Sequence, residues 1–132
     1  MNRSDKLEEL EQVTSELNRT NILGNIHLFN LFLPLVLKGK VKKVITLSSG
    51  HADLGLINDL EVVNSGLYAA FKAALNVIVA KYNAQYKKDG VLFVSISPGV
   101  VDVGKFDDCM CLITLSIVSM QLTEASSDTR PD

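Results

Sequence analysis

The chain has 132 residues, 47% of them hydrophobic and 21% charged, with a formal net charge of −2. That is enough for one domain with a modest core, and it reads as globular and soluble, with no electrostatic footprint for nucleic acid. The two cysteines, Cys109 and Cys111, have no second Cys/His pair nearby to complete a metal site, so ordinary apolar positions in a reducing, cytoplasmic setting are expected.

The opening MNRSDKLEELEQ is polar and acidic, unlike a signal or transit peptide. Residues 4–37 read as helix, capped by Ser4 or Asp5. Leu7, Leu10, Val13 (or Thr14), Leu17, Asn21, Gly24, Leu28, Leu31 and Leu35 recur at steps of three and four, with a break expected near Asn18–Asn21. Beyond Ile22 the helix is apolar nearly all round, which requires burial on more than one side, by a sheet and by another subunit. The run Ile22–Leu37 is interrupted by Asn25, His27, Asn30 and Pro34 and is too short to span a membrane, so no membrane is expected. Pro34 should bend or end the helix and Gly39 close it. His27 reads as a packed core or interface histidine. The lysines of 38-KGKVKK-43 read as a solvated loop.

Residues 41–49, VKKVITLSS, read as a strand whose VITL core suits burial on both faces. A loop follows over 50–64, with Asp53, Asp59 and Glu61 as solvated acids and His51 just past the strand end, either a loop histidine or a substrate contact. Ser65 can cap a helix reaching about Lys87, thinned by alanines and carrying Phe71, Leu75, Ile78 and Val79 as its apolar stripe. Asp89–Gly90 turns the chain into a second buried strand, 91–97, which Pro98–Gly99 ends. Residues 106–122 could form a third strand or a short helix, and the polar end 123–132 reads as disordered.

Strand, helix and strand make a βαβ unit with parallel strands, and ligands of such sheets bind beyond the strands' carboxyl ends. Ser48–Ser49 and Pro98–Gly99 fall there. Tyr68 and Lys72, four apart on the intervening helix, share one face near its start. A cation beside a phenol favours the phenolate, which equips the tyrosine for general acid–base work. A serine hydroxyl from the strand end could polarise a carbonyl beside it. The spacing alone is also what a solvated lysine next to a half-buried tyrosine produces.

Four motifs in order resemble the short-chain dehydrogenase/reductase family over residues 18–104. Asn21-Ile-Leu-Gly24 looks like its Asn-x-x-Gly, and Ser48–Ser49 like its strand-end serine. Tyr68-Ala-Ala-Phe-Lys72 looks like its Tyr-x-x-x-Lys, and Ser97-Pro-Gly-Val-Val-Asp-Val103 like its Pro-Gly segment. The resemblance implies an α/β fold, a partial doubly wound (Rossmann-like) parallel sheet in the order helix–strand–helix–strand, lacking the N-terminal nucleotide-binding half. It places a partial catalytic domain over 1–104 and a divergent, partly disordered tail over 105–132.

The resemblance also implies roles. Tyr68 would donate a proton to a carbonyl, and Lys72 would tune the tyrosine and bond the nicotinamide ribose. Ser49, or Ser48, would steady the substrate oxygen, and Asn21 would shape a proton relay behind the lysine. Pro98, Gly99, Val101 and Val103 would lie against the nicotinamide of NADP or NAD. Val103 stands where the family commonly has threonine, and the Ser49-to-Tyr68 gap is longer than in compact members. The implied activity is NAD(P)-dependent oxidoreduction of a small-molecule carbonyl or secondary alcohol, in a homodimer through helices 20–37 and 65–87. The competing expectation is a truncated, non-catalytic remnant that only associates through its helices.

Overall fold

The computed structural model describes residues 3–99. Val101, Val103, both cysteines and the proposed 105–132 tail lie outside them.

The first helix runs unbroken as α1 (Arg3–Asn18), a π-helical turn (Arg19–Leu23) and α2 (Gly24–Lys38). The π turn falls where the sequence places a break, and its cause is local. Gly24 donates its N–H to Arg19 O, five residues back, and a Cβ on Gly24 would stand 3.2 Å from that oxygen. Polar side chains satisfy the carbonyls around the turn: Thr20 Oγ1 donates to Glu16 O (2.6 Å), Asn21 Nδ2 to Leu17 O (3.1 Å) and Asn25 Nδ2 to Asn21 O (2.9 Å). Pro34 does not end the helix, which continues to Lys38, where Gly39 donates to Leu35 O and Val36 O. Taken whole, Asp5–Lys38 is long and apolar enough to cross a membrane by length and composition, a test that the sequence reading applied only to its second half. Phe29 and Leu33 nonetheless bury one face of α2 in the core of the fold.

Strands β1 (Lys43–Leu47) and β2 (Leu92–Ile96) pair in parallel, Thr46 opposite Ser95 and Leu47 opposite Ile96. They are joined through a short 3₁₀ turn (Gly50–Ala52), a six-residue helix α3 (Leu54–Asp59) and the long helix α4 (Gly66–Tyr86). This is the expected partial Rossmann-like α/β unit. The stretch expected as plain loop contains α3, and Asp53 is its cap rather than a free acid: Oδ1 accepts from Gly55 N (2.8 Å) and Leu56 N (3.2 Å). Ser65 does not cap α4 with its side chain. It adopts the left-handed region instead (φ 57°) to turn the chain into the helix.

The core is Phe29, Leu33, Leu75, Val79, Val91 and Phe93. Phe93 is fully buried, with the rings of Phe29 (5.1 Å from Tyr82), Tyr82 and Tyr86 gathered around it. Asn83 Oδ1 accepts the Phe93 N–H (3.0 Å), so the edge of β2 away from β1 has its donor paired by α4. Strand alternation places Val44, Thr46 and Ser48 beneath the helices and Ile45 and Leu47 on the other face. That second face is bare among the described residues, with Ile45 and Leu47 both more than half exposed. The expectation that VITL is buried on both faces therefore holds for one face only: both helices lie on the same side.

Truncating Phe93 to Ala removes the ring that three other aromatics pack on. A loss of about 3–5 kcal/mol is expected, read as a lower urea midpoint. Asp53→Ala should cost about 1 kcal/mol through the lost cap of α3, with no change in the α4 amide signals.

Candidate functional site at the carboxyl end of the sheet

The βαβ connection brings α4 back over the strand ends, with its first turns beside the residues that leave β1. Lys72 Nζ donates to Leu47 O, the last carbonyl of the strand (3.0 Å). The same ammonium lies 5.7 Å from the centroid of the Tyr68 ring, within cation–π range. Helical spacing alone puts the two residues one turn apart; the bond to Leu47 fixes where the cation sits. Partial burial lowers the Lys72 pKa below 10.5 by disfavouring the charged form. Tyr68 is 37% exposed, and its hydroxyl has no partner among the described residues.

The two serines part company. Ser48 follows Thr46 onto the covered face and is 4% exposed; its N–H donates to Ile96 O (2.7 Å) and its Oγ has no partner among the described residues. Ser49 leaves the strand half-buried, and its Oγ accepts the N–H of His51 (3.3 Å). The His51 ring meets Tyr68 edge to face, centroids 6.4 Å apart. Ser49, His51, Tyr68 and Lys72 thus form one connected group. Sequence reasoning named His51 only as a loop histidine or a substrate contact. Its proximity to the strand-end serine was the available signal.

Pro98 and Gly99 leave β2 at the same sheet edge, since Leu47 and Ile96 are paired; Pro98 is exposed and Gly99 has φ 79°, the left-handed region. Asn21 lies in the π turn, which packs against α4. No hydrogen bond joins it to Tyr68 or Lys72 among the described residues; its amide goes to Leu17 O and its carbonyl accepts from Asn25. A cleft of about 270 Å³ opens on another side of α4, walled by His51, Leu54, Ile57, Val62, Ala69 and Ala73. Tyr68 and Lys72 do not line it, so it adjoins the group only through His51. No cluster of three metal-ligating side chains exists among the described residues.

Comparison with known proteins identifies the family. The sequence model described as short chain dehydrogenase matches residues 2–108. The short-chain dehydrogenase/reductase iacC of Pestalotiopsis fici is 60% identical over 104 residues, 79% of this chain and 38% of that protein. The short chain dehydrogenase virK of Hypocrea virens is 53% identical over 98 residues, 74% of this chain and 36% of its own length. The short-chain dehydrogenase/reductase AacuF of Aspergillus aculeatus is 49% identical over 84 residues, covering 63% of this chain and 32% of that protein. This chain belongs to the short-chain dehydrogenase family. It spans little more than a third of the length of these relatives.

Two outcomes follow from the geometry. The Tyr68 hydroxyl makes no hydrogen bond among the described residues, so Tyr68→Phe should leave folding stability within about 0.5 kcal/mol of wild type, measured by urea unfolding. Lys72 is held below 10.5, so the folded chain binds fewer protons than the unfolded chain between the lowered pKa and 10.5. Stability should therefore rise with pH across that window, and this contribution should vanish in Lys72→Met when both are unfolded at pH 8 and pH 10.

Proposed function

We propose that the chain carries the proton-handling part of an NAD(P)-dependent oxidoreductase of the short-chain dehydrogenase type, acting on a carbonyl or secondary alcohol of a small molecule. The observation that carries this reading is Lys72: its ammonium is bonded to the last carbonyl of β1 and faces the ring of Tyr68, at the sheet edge where ligands of such folds bind.

Each group has a role that its surroundings support. Tyr68 offers a hydroxyl without a partner among the described residues, which gives its proton to the substrate oxygen during reduction and takes it back during oxidation. Ser49 accepts the His51 N–H at Oγ, which leaves its own proton to donate to the same substrate oxygen. It fits that role better than Ser48, whose hydroxyl is buried on the covered face. An ammonium has three N–H donors; Leu47 O takes one, and the others would reach the ribose hydroxyls of a nicotinamide nucleotide. Gly99, turning in the left-handed region just past β2, lets the backbone approach the nicotinamide closely. When bound, the cofactor supplies or accepts the hydride. Asn21 serves this site indirectly, through the π turn that seats the first helix against α4.

A second reading, association alone, draws on a different observation. Leu28, Leu31, Phe32 and Leu35 of α2 are exposed apolar side chains, a surface suited to a second copy of the chain. Cofactor binding separates the two readings.

Calorimetric titration of the folded chain with NADPH and with NADH should give saturable binding for at least one of them. Lys72→Ala should weaken it about tenfold or more, the scale of a lost hydrogen bond to a charged group. A folded chain that binds neither nucleotide at millimolar concentration leaves only the association reading.

A further inference from the structure

His51 touches both of the other groups that would meet the substrate oxygen. Its backbone N–H donates to Ser49 Oγ at 3.3 Å, and its ring stands at 74° to the Tyr68 ring with centroids 6.4 Å apart. Its Nδ1 is buried and has no partner among the described residues. A buried imidazole nitrogen without a partner is a cost that the fold carries. Packing on Tyr68 and the turn after Ser49 account for its place. The 3₁₀ turn Gly50–Ala52 sets the imidazole there: Ala52 N donates to Ser49 O and Asp53 N to Gly50 O, both at 3.0 Å. The turn is itself anchored by the packing of this segment against α4.

We propose that His51 is a positioning residue of the Tyr68 site, aiming the Ser49 hydroxyl through its backbone N–H and steadying the Tyr68 ring by edge-to-face contact. The proposal rests on the reading of Tyr68 and Ser49 as the groups that handle the substrate oxygen. Lys72 and His51 then do different things to the phenol. Lys72 brings a charge 5.7 Å from its ring centroid. His51 restricts the ring's rotation by edge-to-face contact, an arrangement aromatic pairs favour. A phenol held by both contacts presents its oxygen in one place, as proton transfer to a positioned substrate requires. The contact also couples the tyrosine to the imidazole beside it.

The test needs neither cofactor nor turnover. The chain is labelled with ¹³Cζ-tyrosine, and the Tyr68 signal is identified by its loss in Tyr68→Phe. The signal is then followed over the range in which imidazoles titrate, about pH 5–8. Lys72 on α4 stands by the Tyr68 ring, and Asp53 at the head of α3 lies two residues after His51. Amines and carboxylates ordinarily titrate outside this range, and Lys72→Met and Asp53→Asn controls remove them in turn. A step in the Tyr68 shift is expected in wild type and in both controls, and it should be absent in His51→Phe. The Tyr68 ring-proton shifts should collapse toward those of a solvated tyrosine in His51→Ala but stay near wild type in His51→Phe, which restores a planar ring. His51→Gln provides a second non-titrating variant if either replacement unfolds the chain. A wild-type signal without the step, or a step that survives both His51→Phe and His51→Gln, overturns the proposal. So do Tyr68 ring shifts that stay at their wild-type values in a folded His51→Ala. Because the readout is the free chain, failure of nucleotide binding and failure of this inference are separate results.

Discussion

The seating of Leu75 and Val79 of α4 against Val91 and Phe93 of β2 sets the position of every other group. These four side chains are nearly or fully buried, and they fix the helix over the strand pair along its length. Lys72 and Tyr68 lie about one and two turns up the same helix from Leu75, so the contact that closes the core also decides where the phenol and the ammonium stand. The Lys72 bond to Leu47 O pins the upper end of the helix to the end of β1, as Asn83 pins its lower half to β2. A helix held at both ends by polar bonds and in the middle by apolar packing has little freedom to slide. That rigidity is the condition for a preorganised proton donor.

The long first helix supports this arrangement from the side. Its π turn is a consequence of residue choice: Gly24 lets Arg19 O come close, and Thr20, Asn21 and Asn25 return hydrogen bonds to carbonyls around the turn. The Asn-x-x-Gly spacing is therefore structural at first hand, since it builds the bulge that packs against α4. Phe29 and Leu33 follow on the next turns and complete the core, while Asn30 accepts the Tyr82 hydroxyl at 3.1 Å. The outer side of α2 and the far face of the sheet are left apolar and bare among the described residues. Such surfaces are marks of association or of further chain. The relatives, whose lengths this chain covers by little more than a third, are proteins of the same family with far more chain to offer.

The physical design of the site separates three tasks. On the proposed reading, Lys72 supplies charge, Tyr68 an exchangeable proton, and the segment after β1 orientation through Ser49 and His51. Only the first two are encoded at helical spacing. The third depends on a tight turn that reverses the chain directly after the strand, stabilised by Asp53 capping α3.

The sequence by itself determined the elements and their order. Apolar periodicity marked the helices, β-branched runs marked the strands, and Gly39, Asp89–Gly90 and Pro98–Gly99 marked their ends. The parallel pairing followed from a crossover of helix length, and the Tyr68–Lys72 face followed from 3.6 residues per turn. Tertiary structure alone decided which serine leaves the covered face, because one residue of register in a strand exchanges inside for outside. It alone decided that only one face of VITL is covered, because burial depends on which side the helices take. It alone showed that Asp53 caps a helix too short to announce itself by periodicity. And it alone joined His51 to Tyr68, seventeen residues apart in the chain, because a contact between a loop and a helix leaves no period to read.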